Sequence, residues 1–270
     1  MRTLAPLGRR RVELVGADDV GAYRVLRVAD PTGPSPQAGQ FYMLAATEGW
    51  GAGDDERPYL PRAFSFLHAG DGALSFMLED VGPGTHRLGQ LGEGDALWLT
   101  GPLGLGFRVP PDGRRALLAG GGVGVPPLSA WARTLTAGGE PVAAVLGFRD
   151  AHHAEGAALM ADGDVTVATD DGSVGHHGLV TDLLAASLDE DDHAVVYACG
   201  PPAMLEAVRA LCAARDVPAQ LALEAGMACG FGACYGCVVA LAEGGYARLC
   251  VDGPVLDADR LSTVPQDAHA

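Results

Sequence analysis

Four cysteines toward the C-terminal end, Cys229, Cys234, Cys237 and Cys250, stand in the spacing Cys-x4-Cys-x2-Cys-x12-Cys. Four thiolates are what two irons bridged by sulfides require, and an x4 gap, an x2 gap and a lone fourth cysteine is a [2Fe–2S] order. Gly230, Gly232 and Gly236 between the ligands let the backbone wrap closely and aim N–H groups at sulfur. Zinc also takes four cysteines, usually as two similar Cys-x2–4-Cys pairs separated by a spacer. The crowding of three cysteines in one Gly/Ala loop favours the cluster, with a zinc site as the alternative.

Further upstream, Arg62-Ala63-Phe64-Ser65 is followed by Gly82-Pro83-Gly84-Thr85. An arginine can pair with a pyrophosphate through two parallel hydrogen bonds, and a hydroxyl on the same strand can reach a flavin ring nitrogen. On a strand, Arg62 and Phe64 share one face while the backbone at Ala63 and Ser65 stays free for a ligand. Taken alone the motif is weak and reads first as an ordinary edge strand, and the backbone at Gly84 and Thr85 either cradles a phosphate or makes a turn.

A second glycine-rich segment, Gly120-Gly121-Gly122-Val123-Gly124-Val125-Pro126-Pro127, reads as strand, turn and helix start, with proline where a missing N–H costs little. Such a turn presents backbone and a helix dipole to a dinucleotide pyrophosphate, though it lacks the Gly-x-Gly-x-x-Gly fingerprint and is also compatible with a plain tight turn. Cys199-Gly200-Pro201 ends a strand in the same way. Asp170 and Asp171 follow another strand; their carboxylates would repel a 2′-phosphate, which mildly favours NAD over NADP, although Asp171 also suits a turn. The pairs His152-His153 and His176-His177 are expected as solvated loop residues rather than metal ligands, and the acidic run 189–192 as a solvated loop.

Residues 11–109 alternate short β-type runs (11–15, 23–28, 41–45, 63–67, 73–78 and 96–100) with turn residues, which argues for an antiparallel barrel or sandwich; a short helix is expected over 85–91. After Pro111, buried strands at 116–119, 142–148, 165–169, 194–198 and 221–223 alternate with helices at 128–136, 178–187 and 202–215, the pattern of a doubly wound parallel sheet. The expected organisation is α+β and multi-domain: residues 1–110 as an antiparallel β-barrel, 111–224 as a parallel α/β unit, and 225–270 as a small cluster-binding unit that needs its metal to hold together.

The 18 basic residues, all arginine, face 34 acidic ones, for a net charge of −16. So acidic a chain repels phosphate backbones and anionic lipid, so neither nucleic acid nor a membrane is an expected partner. The longest apolar stretch, 116–132, is interrupted by glycines and prolines and cannot span a bilayer. The N-terminus has no apolar signal segment, and six cysteines in unrelated segments do not form a disulfide framework, so a reducing cytoplasm is expected.

In this order, a barrel with Arg-x-aromatic-Ser, an α/β unit with Gly-Gly-Gly-Val-Gly and Cys-Gly-Pro, and a four-cysteine loop resemble the electron-transfer subunits of class 1B dihydroorotate dehydrogenases, within the ferredoxin–NADP reductase superfamily. The most specific stretches are 224–237 and Cys250-Val251-Asp252-Gly253-Pro254-Val255. The resemblance implies FAD held by Arg62, Ala63, Phe64 and Ser65, the backbone of Met77, Leu78 and Glu79, and Gly84 and Thr85. It implies a nicotinamide site at Gly120, Gly121, Gly122, Gly124, Asp171, Cys199, Gly200 and Pro201, and a cluster on the four cysteines.

It further implies a partner, an FMN-containing dihydroorotate dehydrogenase catalytic subunit in a hetero-oligomer such as a heterotetramer, and electron flow from FMN through [2Fe–2S] and FAD to NAD+ in pyrimidine biosynthesis. No side chain of this chain is then required as an acid or base. Phe64 lacks the hydroxyl of the tyrosine often found there, the loop 49–56 is unusually long and acidic, and the tail after Leu256 has no assigned counterpart. The runner-up is the flavin/iron–sulfur subunit of a sulfide dehydrogenase or an NAD(P)H–ferredoxin or hydrogenase oxidoreductase; from another class, a zinc-bearing nucleotide-binding regulatory module.

Overall fold

The computed structural model describes residues 8–51, 58–110, 113–160 and 162–265. Strands β1 (Arg10–Val20), β2 (Tyr23–Ala29), β3 (Phe41–Ala46), β4 (Arg62–Gly70), β5 (Ala73–Glu79) and β6 (Ala96–Leu103) close an antiparallel barrel in the order β1–β2–β5–β4–β3–β6. Period-2 patterning sets which side faces in: along β1, Val12 and Leu14 are buried while Arg11 and Glu13 are exposed. Leu14, Leu26, Tyr42, Leu44, Phe76, Leu97 and Leu99 fill the interior, each large apolar side chain contributing about 1.5–3 kcal/mol by leaving water. Between β5 and β6 lies α1 (Pro83–Gly89), which starts two residues earlier than expected because Pro83 is preset for the first turn.

The second unit runs β7 (Arg115–Gly121), α2 (Val125–Ala137), β8 (Val142–Phe148), α3 (Ala151–Ala154), β9 (Asp164–Thr169), β10 (His176–His177), α4 (Val180–Glu190), β11 (Ala194–Cys199), α5 (Pro202–Ala214) and β12 (Ala219–Ala222). The sheet order is β10–β9–β8–β7–β11–β12, all parallel. Chain order reverses between β7 and β11, so the sheet is doubly wound with its switch point between those strands. β7 and β11 are buried along almost their whole length because both faces are covered. Leu128 and Trp131 of α2 share a core with barrel residues on one face, while Leu184 of α4 and Leu205 and Val208 of α5 cover the other.

The C-terminal unit adds the hairpin β13 (Val238–Ala240) and β14 (Tyr246–Arg248), a helical turn α6 (Leu249–Asp252) and β15 (Val255–Asp257). β15 pairs antiparallel with β12, Leu221 opposite Leu256, and so becomes an edge of the α/β sheet. Beyond Leu256 the tail is anchored where the Val264 N–H donates to Glu206 of α5 at 2.7 Å. Burial of Leu249, Leu256, Leu261 and Val264 in the core around α4 and α5 gives this small unit the apolar support it could not supply alone.

The α+β architecture expected from sequence is the one observed. His152 and His153 correct one reading: both belong to α3 rather than a loop, and only His152 is solvated. Asp150 caps that helix, accepting the His153 N–H at 3.0 Å and lying 2.7 Å from its ring Nδ1. The ring, 13% exposed, sits edge-on to Tyr23 and 3.4 Å from Glu79, joining the barrel to the α/β unit. His176 and His177 are exposed as expected but form β10. The acidic run is only partly a loop: Asp189 and Glu190 end α4, and Asp189 pairs with Arg215 and Asp191 with Arg115. Residues 52–57 of the long acidic loop lie outside the described residues.

Candidate functional site

The four thiols gather as two pairs. Cys237 and Cys250 are buried with their sulfurs 3.2 Å apart. Cys229 interacts with Cys234, which is exposed at the loop tip. Burial raises the Cys229 thiol, but N–H groups of Phe231, Cys234 and Ala233, with the Cys234 thiol, outweigh it and bring it down to about 6. Cys250 is pushed up to about 12, by burial and by the adjacent Cys237 thiol, while the Gly232 N–H acts in the opposite sense. Donors converging on sulfur from a loop of left-handed residues, Gly230, Gly232 and Tyr235, are what a thiolate-held cluster needs. Among the described residues no three His, Cys, Asp or Glu side chains surround a single metal-ion position. Two pairs, one partly exposed and one buried, match two irons held by two thiolates each.

The loop is seated on the barrel. A side chain at Gly230 would stand 2.7 Å from Met43 Cγ and 3.1 Å from Leu103, so only glycine permits that approach. Met43 on β3 is in register with Ala63 on β4. One strand pairing thus separates the thiol loop from the Arg62–Ser65 segment.

At that segment the barrel opens. β4 and β5 pair from Gly70–Ala73 as far as Phe66–Phe76 and then part, whereas continued register would set Ser65 against Met77 and Ala63 against Glu79. Residues 62–65 remain paired with β3, and 77–79 with β2. Each strand therefore turns a backbone edge free of ladder partners toward the other, a cradle for a ligand with its own donors and acceptors. Arg62 lies across the start of α1: a Cβ on Gly84 would be 2.5 Å from its Nε. Its Nη1 donates to Leu60 O at 2.6 Å, and among the described residues no carboxylate pairs with it. The Thr85 hydroxyl accepts the N–H groups of Val81 and Gly82, fixing the turn rather than pointing into the cradle. Phe64 and Ser65 are half-buried; Met77 and Leu78 are buried. The Glu79 side chain faces His153 and Arg149, so that position also couples the two units.

The two glycine turns meet at the switch point. A Cβ on Gly124 would collide with the Cys199 carbonyl, one on Gly121 would stand 2.6 Å from Met204 Sδ, and one on Gly200 would press Gly121 N at 3.1 Å. The carboxyl ends of β7 and β11 therefore pack closely where these residues lack side chains, with Gly122 left-handed beneath the Tyr23 hydroxyl. Burial, reinforced by the Glu224 carboxylate, holds the Cys199 thiol far up and neutral. Asp171 lies at the end of β9, about 10 Å along the sheet edge at two strand spacings, and its Oδ1 accepts the Ser173 N–H at 2.9 Å and hydroxyl at 2.6 Å. These hydrogen bonds lower its pKa.

Sequence reasoning did not single out Met43, Tyr23 or Arg248, and it expected His153 in a solvated loop; the contacts that tie these residues to the site are long-range in the chain or cross between units.

Residues 224–262 match the iron–sulfur cluster binding domain of dihydroorotate dehydrogenase B. The dihydroorotate dehydrogenase B (NAD(+)) electron transfer subunit of Caldanaerobacter subterraneus subsp. tengcongensis is 36% identical over 233 residues, 85% of this chain and 88% of that protein. The corresponding subunit of Bacillus caldolyticus is 44% identical over 211 residues, 74% of this chain and 79% of that one. In three dimensions the chain resembles an NADH-dependent reduced ferredoxin–NADP oxidoreductase with a TM-score of 0.79 at 24% identity, over 95% of this chain and 91% of the other. That likeness speaks for the fold, whereas the sequence relatives decide among proteins that share it. The chain belongs to the family of dihydroorotate dehydrogenase B (NAD(+)) electron transfer subunits.

Proposed function

We propose that this chain carries electrons from the FMN of a dihydroorotate-oxidising catalytic subunit to NAD+, through a [2Fe–2S] cluster and FAD, in pyrimidine biosynthesis. The observation that carries the reading is the seating of Gly230 on Met43, which brings the four-cysteine loop within one strand pairing of the barrel cradle. The sulfide dehydrogenase and NAD(P)H–ferredoxin alternatives share the two large units and are not favoured by the sequence relatives.

Cys229, Cys234, Cys237 and Cys250 would hold the cluster. Arg62, Ala63, Phe64 and Ser65, with Met77, Leu78 and Glu79 opposite and Gly84 and Thr85 below, would hold FAD. Gly120, Gly121, Gly122, Gly124, Cys199, Gly200 and Pro201 would receive the nicotinamide nucleotide, with Asp171 toward its adenosine end. A flavin exchanges electrons singly with a cluster and as a hydride with a nicotinamide, which is why it belongs between them.

The protein's contribution is placement. Arg62 neutralises diphosphate charge, the free strand edges offer hydrogen bonds to the ring system, and the interlocked turns set the nucleotide backbone without side-chain interference. No residue need transfer a proton. Working domain limits are 1–110, 111–224 and 225–270. The exposed side chains Phe231 and Tyr235, at 48% and 62%, flank the exposed Cys234 and make this tip the contact for the catalytic subunit. A cluster held by thiolates, with Cys199 and Cys212 also unbridged, suits a reducing cytoplasm.

Anaerobic purification tests the reading. The protein should be brown, carry about two irons and two labile sulfides, and release FAD on denaturation; a colourless, zinc-loaded protein would contradict it.

A further inference from the structure

We propose that Arg248 and Asp252 form a fixed charge pair that sets the reduction potential of the cluster, the guanidinium favouring the reduced state; this rests on the cluster reading above. Arg248 ends β14, two residues before Cys250, and its side chain is only 29% exposed because it turns back over the ligand loop. Nη1 donates to the Gly232 carbonyl at 3.3 Å, and the guanidinium lies 5.4 Å from the centre of the Tyr235 ring. Gly232 lies between the ligands Cys229 and Cys234, and a side chain there would press Nη1 at 3.2 Å. The cation therefore rests against the back of the loop, within Coulombic reach of Cys250.

Asp252 holds it there from the other side of Cys250. Its Oδ2 accepts the Arg248 backbone N–H at 3.0 Å and Nε at 3.4 Å, and its side chain is 16% exposed. Sequestered at both ends, the pair is unlike an exposed ion pair that reorients freely. Its positive end meets the ligand loop, and its negative end lies behind the guanidinium.

A centre of four thiolates, two sulfides and two ferric irons is already anionic and gains a further negative charge on taking one electron. Net charge and hydrogen bonding around the sulfurs are what set such potentials. The chain as a whole carries −16, a background that opposes adding the electron. A guanidinium lodged in the loop counters that background where it acts most strongly. A role confined to stapling the loop would alter cluster retention without moving the potential of the clusters retained.

The test is an EPR-monitored redox titration of the full chain with FAD and cluster bound, comparing wild type, Arg248→Lys, Arg248→Gln and Asp252→Asn, with iron and sulfide measured on each. Arg248→Gln should shift the reduction equilibrium about tenfold toward the oxidised cluster, ~59 mV for a one-electron couple. Arg248→Lys should shift it less, and Asp252→Asn, which keeps the guanidinium and an isosteric acceptor, should shift it the opposite way. If Arg248→Gln fails to retain its cluster, Asp252→Asn decides: a potential that stays put or falls overturns the proposal. A fully loaded Arg248→Gln with an unmoved potential, or Arg248→Lys shifting as far as Arg248→Gln, overturns it too. Wild type without iron and sulfide would sink the cluster reading itself.

Discussion

The cysteine loop and the glycine turns at the sheet's switch point are built in opposite ways, and under the proposed function they would hold their ligands by opposite means. In the loop, side chains supply the bonds, and the backbone assists by aiming N–H groups at sulfur. At the switch point the side chains are absent: Gly121, Gly124 and Gly200 let two turns pack closely, which would leave main chain to meet a nucleotide. The first kind of site fails when a ligand atom is removed, the second when an atom is added. That asymmetry gives each region its own test.

The largest effect is expected in the buried thiol pair. Cys237→Ser should abolish the cluster and also lower the unfolding temperature, because Cys237 is 2% exposed within the core that the C-terminal unit shares with α4 and α5. Cys234→Ser, at the exposed tip, should lose cluster-dependent transfer while keeping its fold and FAD-dependent NADH oxidation with an artificial acceptor. Iron analysis, thermal melts and a diaphorase assay separate the two variants; equal losses from both would erase the distinction between the pairs.

Next in size, Gly124→Ala adds one methyl against the Cys199 carbonyl, which is backbone and cannot step aside. A stability loss of about 1–3 kcal/mol and a marked rise in the Kd for NADH are expected from denaturant titration and calorimetry, with FAD content unchanged. Arg62→Gln removes the charge that α1 and β4 hold over Gly84. FAD release monitored by fluorescence should show an affinity loss of about 1.5–3 kcal/mol, the range for hydrogen bonds to charged groups, with iron content unaffected.

The smallest effect concerns the tail that ties the cluster unit to α5. The Arg209 guanidinium, with the Val264 N–H, brings Glu206 down to about 2 against an unfolded value of 4.5. A depressed carboxylate stabilises above its unfolded pKa, so the benefit is complete above about pH 4.5 and disappears as pH falls through about 2. At this half-exposed site it is on the order of 1 kcal/mol. Urea midpoints of wild type and Glu206→Gln should differ at pH 7 and converge at pH 2.

The same contrast explains what could be read from sequence. Cysteine spacing is chemistry written in one short stretch, so a cluster-binding unit and its candidate ligands were legible directly. The alternation of Val12 and Leu14, and the buried runs of β7 and β11, likewise announce barrel and parallel sheet. The interlock of Gly124 with Cys199 is invisible locally because it joins segments 75 residues apart through backbone atoms. His153 was misread because its burial comes from Tyr23 and Glu79 in another unit, not from its neighbours. β13 and β14, three residues each, are too short for any period to emerge. The pairing of Arg248 with Asp252 four residues on looks like any i,i+4 ion pair in sequence, and its contact with the ligand loop is to a carbonyl 16 positions away.

The most direct test of the relay is to combine the anaerobically purified chain with its FMN-containing catalytic subunit and follow NAD+ reduction at 340 nm on adding dihydroorotate. NADH should form only when both polypeptides are present, and its formation should be lost with Cys234→Ser. A stable complex, with every cofactor in place, that oxidises dihydroorotate but leaves NAD+ unreduced would contradict it.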